Sequence, residues 1–159
     1  MHRRLLVIFI LLLAACHKST TLPTPAFTVS ASINGTPTTF NAIITVDSLS
    51  TPGTVYIVAH SDSANLNPLF EITLGSTPLK TGTYPIADSN SGPQSLLGYT
   101  VWSDSAGTYI QYAAVSDTVT LTTVTKTWFS GTFQGTCEYS ADSVVSVTNG
   151  QFTVGWNKQ

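Results

Sequence analysis

Beyond residue 26 the chain alternates apolar and polar positions with a period of two, the signature of half-buried β-strands. Phe27, Val29, Ala31 and Ile33 share one parity; Asn34-Gly35 follows; then Phe40, Ala42, Ile44 and Val46 alternate again. Asn and Gly both tolerate positive φ, so this dipeptide predicts a two-residue hairpin turn. Such a turn pairs Ile33 with Thr36, Val29 with Phe40 and Phe27 with Ala42, and places both apolar sets on one face. Residues 54–59 are almost continuously apolar and predict a strand covered on both faces. In 69–74 Phe70, Ile72 and Leu74 point inward and Glu71 outward. Residues 82–86 read as a short edge strand, because Pro85 cannot donate to a ladder.

Residues 99–103 and 108–113 predict a second hairpin across the loop 104–107. Its register pairs Trp102 with Tyr109, Val101 with Ile110, Thr100 with Gln111 and Tyr99 with Tyr112. Val119 and Leu121 alternate with Thr118, Thr120 and Thr122. Phe129, Gly131, Phe133, Gly135, Cys137 and Tyr139 share one parity. A second Asn-Gly, at 149–150, separates Val145 and Val147 from Phe152, Val154 and Trp156. No stretch carries a helical period with caps, and no repeat of fixed period suggests a propeller or β-helix. The predicted class is all-β: an antiparallel β-sandwich of about ten strands, with an up-and-down β-barrel as the alternative.

The first 26 residues follow another logic. Met1-His2-Arg3-Arg4 is basic, residues 5–13 are unbroken apolar, and Leu13-Ala14-Ala15-Cys16 closes the run with small residues and a cysteine. Nine apolar residues are too few to span a ~30 Å hydrocarbon core, so the run reads as a secretory signal over 1–15. Its ending resembles that of bacterial lipoproteins, which implies diacylglycerol on the Cys16 thiol, cleavage before it, and acylation (palmitate, for example) of the new amino group. Residues 16–26, with two prolines and few apolar side chains, read as a flexible tether, and 27–159 as a single domain. His17-Lys18 lacks the acidic run that resembles surface-export signals. The expected location is therefore the cell envelope, on the periplasmic face of the outer membrane.

Composition narrows the function. Charged residues are 9% of the chain, while 44 of its 159 residues are serine or threonine. A nucleic-acid binder needs clustered Lys and Arg, and a helical bundle needs Ala, Glu, Lys and Leu; neither fits. At 42% hydrophobic and 10% aromatic, the chain can bury a core. Cleavage before Cys16 would leave four lysines against eight carboxylates and no arginine. With Cys16 acylated, Cys137 would be the remaining thiol, so no internal disulfide is expected.

Phe-Thr-Val-x-Ala-x-Ile-Asn-Gly at 27–35, Gly-Thr-Tyr at 82–84, Ser-Gly-Thr-Phe at 130–133 and Val-Thr-Asn-Gly-x-Phe at 147–152 resemble a family of small, uncharacterised all-β lipoproteins of Gram-negative bacteria. The resemblance spans nearly the whole mature chain. It departs at Phe40, where that family more often has Trp. It implies an envelope β-domain and brings no catalytic residues with it.

Motifs for catalysis are scarce. No phosphate loop, Gly-x-Ser-x-Gly elbow or His-Glu-x-x-His pair occurs. His60 reads as an exposed strand-end residue, and one His beside Asp62 is too few for a metal. Glu71 and Glu138, the only glutamates, both fall at outward parity. Cys137 reads as a small core residue. The expectation is a non-enzyme with no cofactor, metal or nucleic-acid partner, joined to the membrane by its lipid.

Two surface features remain. Trp102 and Tyr109 face each other on the polar side of the second hairpin, with Thr100 and Gln111 beside them. Flat rings flanked by amide and hydroxyl groups suit sugar stacking, although such cross-strand pairs also simply stabilise hairpins. All six aspartates precede Ser or Thr, and five of these pairs are followed by an aliphatic residue. Asp-Ser/Thr-aliphatic resembles an O-glycosylation acceptor of some Gram-negative bacteria, which makes Ser48, Ser63, Ser105, Thr118 and Ser143 candidate acceptors. The competing explanation is that Asp and Ser favour turns. The functional expectation is a lipid-anchored binding module for a glycan or an envelope protein. A structural or assembly lipoprotein is the first alternative and a hydrolase the second.

Overall fold

The computed structural model describes residues 26–47, 54–61, 67–75, 78–86 and 94–156. Ten strands occur in them: β1 (Thr28–Ile33), β2 (Thr36–Phe40), β3 (Ala42–Asp47), β4 (Thr54–His60), β5 (Leu69–Gly75), β6 (Gly82–Pro85), β7 (Gln94–Ser103), β8 (Thr108–Val124), β9 (Trp128–Ser140) and β10 (Ser143–Gly155). All named strands pair antiparallel, in the order β2-β1-β10-β9-β8-β7-β5-β4-β3, with β6 on β8. The chain is all-β, built as one curled sheet whose two halves face each other across the core.

The curl follows from connectivity. β2 and β3 lie at opposite ends of the strand order, yet Asn41 alone separates them. A single residue cannot span an open sheet, so the two edges must meet at this corner, and the Asn41 N–H donates to the His60 carbonyl at 2.9 Å. Burial drives the closure. Phe70 on β5 stacks on Phe133 of β9 at 5.0 Å and meets Phe40 of β2 at 5.6 Å. Contacts then run from Phe133 to Phe152, Phe129 and Trp156. Each buried large side chain contributes about 1.5–3 kcal/mol. Phe40, Phe70 and Phe129 are each fully buried.

β8 joins the halves. It pairs β9 from Ala113 to Val124, and on its other side it pairs β7 through 108–113 and β6 through 118–121. Where β7 leaves β8, its backbone loses a ladder partner, and a buried polar group must find another. Asp117 supplies it. One carboxylate oxygen accepts the Leu97 N–H at 2.9 Å; the other lies 2.5 Å from Ser95 Oγ, which is 2.7 Å from the Tyr84 carbonyl. Burial pushes the Asp117 carboxyl above its ordinary value, against the lowering effect of these hydrogen bonds.

Several sequence expectations change here. The first hairpin keeps the predicted register from Val29↔Phe40 to Ile33↔Thr36. Phe27 does not pair with Ala42, because the chain crosses to β4 at Asn41. Phe27 instead lies over Gly155. Asn149-Gly150 makes no turn; β10 runs straight through it with a register shift against β9. β9 and β1 flank β10 on both sides and hold it extended, so the dipeptide becomes a bulge. β4 alternates buried and half-buried positions rather than being covered on both faces. His60 is buried, not exposed, since it sits where the sheet edges converge.

Candidate functional site

The β7–β8 hairpin has the register the sequence predicts: Trp102↔Tyr109, Val101↔Ile110, Thr100↔Gln111 and Tyr99↔Tyr112. The loop 104–107 closes it, with Gly107 at φ 61 and its N–H on the Ser103 carbonyl at 2.8 Å. Trp102 and Tyr109 are 41% and 54% exposed, large values for aromatic side chains. Their centroids lie 5.0 Å apart at an interplanar angle of 75°. The two rings therefore form a corner, not the single flat table that parity alone suggests. Trp102 is anchored on both sides: its Nε1–H donates to Asp104 Oδ1 at 3.0 Å, and its backbone N–H to Asn67 Oδ1 at 3.0 Å.

Thr100 is half-buried and Gln111 exposed on the same outer face. The next row reads Glu71, Gly98, Ala113, Glu138 across four strands. The Glu71 side chain lies over Gly98, where a Cβ would meet Glu71 Oε2 at 3.1 Å. The two glutamates stand three strand spacings apart, ~14 Å at the backbone. The opposite face of the hairpin carries Tyr99, Tyr112 and Tyr139, with centroids about 6 Å apart in succession. Burial, with Tyr112 second, raises the Tyr99 hydroxyl above its ordinary value.

This corner lies at the far end of the sheet from the start of β1. Thr28, the first residue of β1, pairs with Thr153 beside Ser130 and Thr123. Tyr109 is fifteen residues along β8 from Val124, a path on the order of 50 Å at ~3.3 Å per residue.

The other candidates are dispersed. Cys137 is fully buried, and burial, with Asp117 second, pushes its thiol up to about 11; it is a core residue without a thiolate at neutral pH. His60 Nδ1 is buried without a hydrogen-bond partner. Ser105 is exposed in the β7–β8 loop, its hydroxyl 3.1 Å from that of Ser103. Thr118 lies inside β8, its hydroxyl donating to the Asp117 carbonyl at 2.9 Å. Ser143 opens β10, its hydroxyl 3.1 Å from that of Tyr112. Cys16, Ser48 and Ser63 lie outside the described residues.

Among the described residues, no three His, Cys, Asp or Glu side chains gather as metal ligands, and no helix is long and apolar enough to cross a membrane. No family model, curated protein or solved structure matches this chain. Sequence reasoning missed Asp117, whose buried position depends on a bulge at residues 114–116 that shifts the parity of β8. The run Ser-Asp-Thr within a Thr-rich strand gave no signal of it.

Proposed function

We propose that this chain is a lipid-anchored, non-catalytic binding module of the Gram-negative cell envelope, tethered through Cys16 to the periplasmic face of the outer membrane. In this reading it belongs with the small all-β lipoproteins its motifs resemble. Its ligand is a glycan that stacks in the Trp102–Tyr109 corner. The observation that carries this reading is a pair of exposed, hydrogen-bond-anchored aromatic rings with Thr100 and Gln111 alongside, at the end of the sheet remote from the start of β1. An apolar ring face takes the C–H side of a sugar, and the neighbouring amide and hydroxyl take its hydroxyl groups. Preorganisation by the Asp104 and Asn67 hydrogen bonds limits the ordering cost of binding.

A screen of purified envelope and neutral plant polysaccharides tests the reading. A Trp102→Ala, Tyr109→Ala protein is expected to stay folded and to lose roughly tenfold or more in affinity for at least one glycan the unaltered chain binds, because two stacking contacts disappear. Undiminished binding by that variant would remove the corner from the account.

The intact mass of the protein from its own host tests the anchor and the modification sites together. The expected mass begins at Cys16 with its acyl chains, and glycans on any Asp-Ser/Thr acceptor appear as further increments. A mass beginning at residue 1, or one without acyl chains, would contradict the anchor; a mass equal to the lipidated polypeptide alone would contradict the glycans.

The assembly reading finds support in the same end of the molecule. Val115, Tyr139 and Val144 are exposed there. A partner protein covering them would leave Trp102 and Tyr109 dispensable.

A further inference from the structure

The outer face from β6 to β2 is a grid of uncharged polar side chains. One row straight across six strands reads Thr83, Thr120, Thr132, Gln151, Ser30 and Thr39. Ser130, Thr153 and Thr28 form the row beside it. Most soluble faces of this size mix in Lys and Glu, but this one does not.

Two depressions of about 380 Å³ and 360 Å³ sink into this face and share Thr118 and Gln134, so they form one trough. Each volume falls within the ~300–1,000 Å³ usual for ligand sites. The trough lies beside the β10 bulge. There Phe133 pairs with Gly150 and Gly135 with Val147, so Gln134 faces both Thr148 and Asn149. Asn149, at φ 53, lines the first depression and Thr148 the second.

The side chains of Thr132, Gln134, Thr136, Thr148, Asn149 and Gln151 line the trough, and none of them hydrogen-bonds to another described part of the protein. Hydroxyls donate and accept, and amides do both at separate atoms. Such groups lose their water at far lower cost than ammonium or carboxylate groups do. A matching ligand must present many donors and acceptors and no charge. An anion finds no cation in this lining. A cation finds only Asp117, which is 7% exposed and already committed to Leu97 and Ser95.

We propose that this trough is a second binding site, for a segment of neutral polysaccharide, separate from the Trp102–Tyr109 corner. Thr118 is nine residues along β8 from Tyr109, or ~30 Å of strand, so the two sites can be altered independently. The inference shares the glycan class with the function proposed above but uses none of its residues.

Affinity electrophoresis of the full-length Cys16→Ser chain tests it, with dextran, xylan, mannan and laminarin as neutral probes and polygalacturonate as the anionic one. A Thr132→Lys, Gln134→Lys protein adds charge to the trough without touching the core, and Gln134→Ala, Gln151→Ala trims it without charge. Both are expected to keep the parent melting temperature and to bind at least one neutral probe roughly tenfold more weakly than the parent. If both bind like the parent while Trp102→Ala, Tyr109→Ala loses binding, the trough is overturned and the corner stands. If the trough variants alone lose binding, the trough stands and the corner is overturned. Retardation by polygalacturonate exceeding that by every neutral probe, or no retardation by any probe, would overturn the trough.

Discussion

Replacing Gly131 with alanine is expected to cost about 3 kcal/mol of stability, a large share of the ~5–15 kcal/mol that holds a domain together. Gly131 pairs with Phe152 on one side and Leu121 on the other. A Cβ there would overlap the Thr120 carbonyl and stand 2.8 Å from Phe152 Cζ. The carbonyl belongs to the neighbouring strand and cannot move without breaking the ladder. Gly150 is the reciprocal case, since a Cβ would run into the Phe133 ring and carbonyl. In both pairs an aromatic ring of one strand covers a glycine of the other, which lets β9 and β10 pack closely at the centre of the core. Gly75→Ala is the control. Its Cβ meets Gln94 Cβ at an ordinary 3.8 Å, and its expected change is under about 1 kcal/mol. Urea denaturation of the three variants reads the difference; equal midpoints would contradict the packing account.

Asp117 gives the second large effect. Asp117→Ala leaves the Leu97 N–H without its acceptor and Ser95 without one partner, an expected loss of about 2–3 kcal/mol. The wild-type group also makes stability depend on pH. Its folded pKa is raised, mainly by burial, so between the unfolded and folded values the native state binds more protons than the unfolded one. This contribution is therefore most favourable below about pH 4, the ordinary carboxylate value. It is lost as pH rises through the raised value. The geometry agrees with the sign. The Ser95 hydroxyl has one hydrogen and two oxygen neighbours, the Tyr84 carbonyl and Asp117 Oδ1. A protonated Asp117 donates to Ser95, which then donates to Tyr84, so each oxygen is served. Asp117→Asn keeps a neutral donor and acceptor in place. The difference in unfolding free energy, wild type minus Asn variant, is expected to fall from acid to neutral pH. A difference that rises over that range would overturn the assignment.

Much of the architecture was legible because alternation fixes which face a residue takes, and a short turn fixes register. Asn34-Gly35 and the loop 104–107 set two hairpins whose pairs agree with the sequence reading. The same dipeptide misleads at 149–150 because tertiary neighbours, not local preference, decide between turn and bulge. Asn41 carries no sign that the chain changes sheet edge there, and with that corner unseen the burial of His60 was unseen as well. Parity placed Trp102 and Tyr109 on one face with Thr100 and Gln111, but it says nothing of ring angle, which the Asp104 hydrogen bond helps to set. The polar trough escaped the sequence reading for a related reason. A Thr-rich strand reads as ordinary β-propensity until its neighbours show that five other strands carry the same chemistry in register.

The fluorescence of Trp102 tests the proposed function most directly. In a chain with Trp128→Phe and Trp156→Phe, Trp102 is the sole indole and stands at the exposed corner. Titration with the tightest-binding glycan is expected to shift its emission to shorter wavelength and shield it from a soluble quencher, with saturation at the affinity measured by binding. In the same chain carrying Thr132→Lys and Gln134→Lys, which block the trough, a glycan that still binds at saturation without altering either the emission or the quenching of Trp102 would contradict the account.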